Sequence, residues 1–192
     1  MKESILISIT IVLIYIFLFI NNTNLKLIEA NGSKVLVRAL PDCQQSGQLL
    51  ILLIQKMYKI RDYLVLNIDR FPEFRPYINL LKNNFNQERT LIYENSPDSE
   101  YTSYSVNKGE EFVFCLKCKV TKQLHDINLL VYVAVHEMAH AGCPEIGHTP
   151  LFNKIFKFFL QQAIEIGEYT YEDYSRNPVN YCGLDLYTNI LN

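Results

Sequence analysis

Two histidines four residues apart, with a glutamate directly after the first, carry the chemistry of this chain. In Val133-Ala134-Val135-His136-Glu137-Met138-Ala139-His140 the pattern H-E-x-x-H ends an apolar run that begins at Ile127. On an α-helix, positions i and i+4 share a face, so both imidazoles reach one divalent ion. Glu137 stands beside that face. There it takes a proton from a water acidified by the ion, without being a ligand itself. His148 follows the loop-like stretch 141–147, so three of the four histidines of the chain fall within thirteen positions. Three imidazoles close three corners of a tetrahedron and leave the fourth open, as catalytic zinc sites do. The expected metal ligands are therefore His136, His140 and His148, the expected cofactor is one Zn2+, and the expected catalytic residue is Glu137. Three imidazoles and an open position favour zinc over other divalent ions. Cys143, Glu145 and His125 are the alternatives for the third ligand. The first two lie close behind His140 on a short loop, and His125 precedes His136 by about three helical turns. Two blander readings compete: satisfied core histidines, and a real metal site that cuts nothing.

These residues need two helices and a small sheet to hold them. Apolar spacing predicts a helix over 126–141 and another over 150–166. Leu49, Leu50, Leu53, Ile54, Met57, Ile60 and Leu64 recur at three and four, predicting a long helix over 43–70 that stops at Phe71-Pro72. A shorter helix fits 74–85. Strand-like runs occupy 34–40, 90–93, 101–106 and 111–116, the last two separated by the hairpin signal Asn107-Lys108-Gly109-Glu110. The order points to an α+β fold. The 102–106 strand reads either as an interior strand or as an edge that pairs with an extended substrate. The tail from Tyr169 on holds five tyrosines with little periodicity. Tyr181 and Tyr174 are the candidates there for stabilising an oxyanion.

The first twenty residues are a different material. Only Ser8, Thr10 and Tyr15 interrupt the apolar run from Ile5 to Ile20, and no charge falls between Glu3 and Lys26. That run just reaches the ~17-residue lower end of a membrane span. Residues 1–24 are read as an N-terminal transmembrane anchor, with a cleaved signal peptide as the competing reading. Residues 25–33 are read as a linker and 34–192 as the folded domain. Lys26, Lys34 and Arg38 after the run lean toward a cytosolic domain. Asn21-Asn22-Thr23 and Asn31-Gly32-Ser33 would serve as glycosylation sites on the other side.

Composition bounds the rest. The chain has 192 residues, 49% hydrophobic and 20% charged, which suits one globular domain and excludes a wholly disordered chain, a coiled coil or a collagen-like fibre. The net charge is −2, so charge gives no support to a nucleic-acid partner. The five cysteines are odd in number and irregularly spaced, and no disulfide framework is expected. Cys115-Leu116-Lys117-Cys118 is read as ordinary strand cysteines over half a zinc knuckle or a redox pair. Cys182 is weighed as a thiol that approaches the zinc.

H-E-x-x-H, a short loop and then His148-Thr149-Pro150-Leu151-Phe152 resembles the H-x-P-x-F ending of the SprT-like and WLM-type zinc metallopeptidases. The stretch from about 34 to 183 more closely resembles a group of metallopeptidase-like proteins of large DNA viruses. The matching pieces are Thr102-Ser103-Tyr104-Ser105-Val106-Asn107-Lys108-Gly109-Glu110, Phe114-Cys115-Leu116, the 136–152 block and Pro178-Val179-Asn180-Tyr181-Cys182-Gly183. The resemblance implies a minimal zincin core, zinc on His136, His140 and His148, and Glu137 as general base. It departs from metzincins, with Cys143 where their Gly would be and Ile146 where their third His would be. WLM-type relatives cleave proteins crosslinked to DNA or conjugated to small modifiers. The resulting expectation is a membrane-anchored, zinc-dependent peptidase acting on a protein or peptide, against the alternative of an inactive metal-binding protein.

Overall fold

The computed structural model describes residues 24–30, 32–96, 99–188 and 190–191. The anchor read over 1–24 lies outside them except for Asn24. Among the described residues no helix is long and apolar enough to cross a membrane.

The chain runs β1 (Leu25–Ala30), β2 (Ser33–Arg38), α1 (Cys43–Leu66), a short 3-10 turn (Ile68–Arg70), α2 (Arg75–Asn84), β3 (Leu91–Glu94), β4 (Tyr104–Val106), β5 (Glu111–Phe114), α3 (Ile127–Gly142), α4 (Pro150–Glu165), β6 (Val179–Tyr181) and β7 (Leu184–Leu186). Five strands form a mixed sheet in the order β1-β2-β3-β5-β4, and β6 and β7 make a separate hairpin. β2 and β5 each run parallel to β3, while the outer pairs β1–β2 and β4–β5 are antiparallel. The fold is therefore mixed α and β, with four α-helices among the described residues.

Residues 25–33 are not the linker read from sequence. Leu25 to Ala30 pair with Arg38 to Ser33 along the whole length of β2. Ile28, Val35 and Val37 are buried against α1. α1 comes so close that a Cβ on Gly47 would sit 2.7 Å from the Ile28 Cγ2. A glycine is what allows that approach.

α3 is the central helix. Twelve of its sixteen residues are buried, so it reads apolar all round rather than amphipathic. Asp126 caps its start, accepting the Asn128 N–H at 2.7 Å. α4 begins at Pro150, with Thr149 accepting the Phe152 N–H at 3.2 Å. It buries Phe152, Ile155, Phe156, Phe159 and Leu160.

The cysteines also depart from expectation. Cys115, at the end of β5, is disulfide-bonded to Cys182, across a sequence separation of 67. The bridge ties the β6–β7 hairpin to the main sheet. Cys118 of the C-x-x-C remains a free thiol, as do Cys43 and Cys143.

Candidate metal centre

The two packed helices bring the three expected ligands together. His136 and His140 come from the last turns of α3, with ring centroids 5.0 Å apart. His148 comes from the residue before the α4 cap, its ring 4.9 Å from His136 and 5.0 Å from His140. One ligand atom of each lies within 4.8 Å of the others, the only such group of three or more His, Cys, Asp or Glu among the described residues. The Nε2 atoms of His136 and His148 are 3.0 Å apart. Around a tetrahedral zinc, with bonds of about 2.0–2.1 Å, ligand nitrogens stand about 3.3 Å apart. That pair has only to open by a few tenths of an ångström.

The donor set suits a cation. Burial, reinforced by the neighbouring imidazoles, pushes His136 down to about 3. Burial, His148 and Lys108 push His140 down to about 4. At neutral pH these two rings are uncharged and offer lone pairs. Glu137 is 5% exposed. Burial raises its carboxyl to about 7, against hydrogen bonds from the Ser105 side chain and backbone that pull it down. Ser105 is paired with the buried Phe112 and so lies on the inner face of the sheet, toward α3.

Residues whose role no sequence pattern revealed hold this arrangement. Phe152 is fully buried and touches all three imidazoles: it stacks on His140 at 4.2 Å and meets His136 and His148 edge-on at 4.9 and 5.0 Å. Lys108 reaches from the β4–β5 turn to the loop before His148. Its ammonium donates to the Cys143 carbonyl at 2.7 Å and to the Glu145 carbonyl. The turn needs three consecutive left-handed residues, Asn107, Lys108 and Gly109, at φ 46°, 59° and 107°. At Gly109 a Cβ would meet the Asn84 carbonyl at 2.9 Å. Asn84 in turn donates to the Ala141 carbonyl at 2.9 Å, closing the end of α3.

The other sequence candidates fall elsewhere. Cys143 is buried and Glu145 accepts from the Thr149 hydroxyl; neither joins the three-histidine group. The His125 Nε2 lies 3.2 Å from the Cys182 sulfur. Tyr181 and Tyr174 do not line the site. Tyr181 is buried, donates to the Cys115 carbonyl at 2.9 Å and meets the Ser103 hydroxyl at 2.5 Å. Tyr174 is buried with its ring 5.1 Å from that of Tyr132. Cys182 is held in its disulfide and is not part of the three-histidine group.

The site opens into a cavity of about 530 Å³, walled by Ser103, Ser105, Lys108, His136, Glu137 and His148. β4 bounds it and is an edge strand, so the interior-strand reading of 102–106 is set aside. An edge strand presents unpaired backbone groups to an incoming extended segment.

No protein-family profile matches the chain. Two solved structures of Wss1 from Saccharomyces cerevisiae resemble it in outline. One, a mutant, has a TM-score of 0.48 at 16% identity over 69% of this chain and 89% of that one. The other has a TM-score of 0.39 at 19% identity over 49% and 73%. Uncharacterized protein 136R of Invertebrate iridescent virus 6 is 38% identical over 82 residues, 42% of this chain and 44% of that protein. Uncharacterized protein 042R of Invertebrate iridescent virus 3 is 38% identical over 84 residues, 43% and 50%. Uncharacterized protein R325 of Acanthamoeba polyphaga mimivirus is 42% identical over 149 residues, 78% of this chain and 75% of that one. On that last match, the chain belongs to the viral protein family that includes mimivirus R325.

Proposed function

We propose that this protein is a zinc-dependent peptidase. The observation that carries the reading is the convergence of His136, His140 and His148 within 4.8 Å, with the buried Glu137 on the same cavity wall. A zinc ion on those three nitrogens supplies Lewis acidity, polarising a peptide carbonyl and acidifying water. The residues do the rest. His136 and His140, kept neutral by burial, donate to the ion. Glu137 takes the proton from the attacking water and returns it to the leaving amine nitrogen. The β4 edge offers backbone pairing to an extended stretch of protein.

Residues 4–20 are proposed as a single membrane anchor, which makes the protein a membrane-bound peptidase. The Cys115–Cys182 disulfide favours a domain on an oxidising side of the membrane, against the cytosolic lean of the lysines. The test is cleavage of a denatured protein by the full chain in detergent, with and without a chelator, beside Glu137→Gln. The proposal expects chelator-sensitive cleavage that Glu137→Gln lacks while it keeps the metal. Metal-loaded protein that never cleaves would leave the inactive metal-binding alternative.

A further inference from the structure

The outer face of the main sheet carries an apolar row that meets the cavity of the peptidase site only at Tyr104. Register places Leu27 opposite Leu36, Leu36 opposite Tyr93, Tyr93 opposite Val113 and Val113 opposite Tyr104. Directly paired residues share a sheet face. One row of leucine, valine and tyrosine therefore crosses all five strands, over about 19 Å at ~4.8 Å per strand; it is open at the leucines of β1, β2 and β3, half-buried at Tyr93 and Tyr104, and closed at Val113, which is fully buried. It lies on the face opposite Ile28, Val35, Val37 and Phe112, which form the core against the helices. Leu91, two residues before Tyr93, adds to it. Leu27 is 57%, Leu36 41% and Leu91 64% exposed. Between β2 and β3, which pair only at Leu36 and Tyr93, a cavity of about 410 Å³ opens, with Leu27, Leu36, Leu91 and Tyr93 among its walls. A sheet face turned to water normally shows polar side chains. A contiguous apolar one marks a docking surface.

We propose that this face rests on the lipid bilayer, beside the point where the chain enters it. The inference rests on the reading of residues 4–20 as an anchor. The apolar run ends at Ile20 and β1 begins at Leu25. Five Cα steps span at most ~18 Å, so β1 is tethered within that distance of the membrane interface. β1 is the edge strand that starts the row. The run itself is a poor occupant of the face: it is apolar on all sides, and the sheet covers only one. The flanking charges Glu29 and Lys34 pair at 3.8 Å, so contact depends on apolar insertion and not on anionic headgroups.

The chain contains no tryptophan, so a single introduced indole reports its own surroundings. Full-length Leu36→Trp, Leu91→Trp and, as control, Leu66→Trp are reconstituted into phosphatidylcholine vesicles with brominated acyl chains, with and without phosphatidylserine. Leu66 is 83% exposed at the far end of α1, on the helix side of the sheet. Leu36→Trp and Leu91→Trp should be quenched several-fold more than Leu66→Trp, with and without the anionic lipid. Equal quenching in protein that floats with the vesicles overturns the docking face and leaves the anchor standing. Protein that does not float overturns both. A Leu36→Trp emission that is blue-shifted in detergent and changes with protein concentration assigns the face to a second copy, which also overturns the proposal.

Discussion

Removing the Cys115–Cys182 bridge gives the most quantitative check on the fold. Cys182→Ser deletes a cross-link over a separation of 67 residues. Loop-closure entropy for a loop of that length is about 4 kcal/mol at 25 °C. Little local cost should add to it, because the His125 Nε2, 3.2 Å from the Cys182 sulfur, can hydrogen-bond a serine hydroxyl there. For a domain of this size, ~1 kcal/mol moves the melting temperature by about 2–4 °C, so the drop should be about 8–16 °C. The assay is calorimetric melting of the oxidised protein, the reduced protein, Cys182→Ser and the Cys115→Ser/Cys182→Ser double variant. The three unbridged forms should melt together, well below the oxidised one. Their zinc content should be largely kept, because the ligands sit on α3 and just before α4, and the hairpin reaches them only through Leu186 of β7 on a shared cavity wall. Identical melting with and without reductant would refute the bridge. A parallel loss of zinc would refute the separation of hairpin and site.

Three further outcomes follow from single side chains. His148→Ala should sharply lower zinc content measured by atomic absorption, and a full equivalent in that variant would reassign the third ligand. Phe152→Ala should cost about 3–5 kcal/mol of stability in denaturant melts and weaken zinc retention in a chelator competition, because the ring is fully buried and touches all three imidazoles. Asp42, hydrogen-bonded by the buried Lys117 ammonium at 2.5 Å, is held below its ordinary value of 3.8 by that bond. Its contribution is present above that value and lost as pH falls through the lower folded one. Asp42→Asn should therefore cost about 1–2 kcal/mol at pH 7, the carboxylate being part-exposed, and the difference from the parent should shrink below pH 4.

The site was legible because its information is local. His136, Glu137 and His140 lie on one helix, and the apolar residues that bury α3 are the same ones that mark it as a helix. His148 followed from a short loop and a Thr-Pro start to the next helix. What holds the site is not local. Ser105 and Lys108 act on α3 and its loop from β4 and the turn after it, a juxtaposition set by strand order that no spacing encodes. Phe152 stood in the sequence as part of a motif, but its contact with three rings needs the α3–α4 packing. The 25–33 linker fails as a reading because Leu25–Ala30 mixes leucine with lysine and glutamate and lacks the clean alternation that marks a strand. β6 and β7 are three residues each, too short for a period to show. The disulfide is hidden in the sequence by an odd cysteine count and by Cys118, which stands three residues from Cys115 while the true partner, Cys182, lies 67 away. Tyr174 and Tyr181 are site candidates by residue type alone: Tyr174 packs against Tyr132, and Tyr181 lies behind the cavity wall, with its hydroxyl on Ser103.

Zinc-edge X-ray absorption on the full chain as purified tests the central claim most directly. Three imidazole nitrogens and one further light atom at about 2.0–2.1 Å, losing one imidazole in His148→Ala, are what this account predicts. A sulfur neighbour at about 2.3 Å, or fewer than three imidazoles in the parent protein, would contradict it.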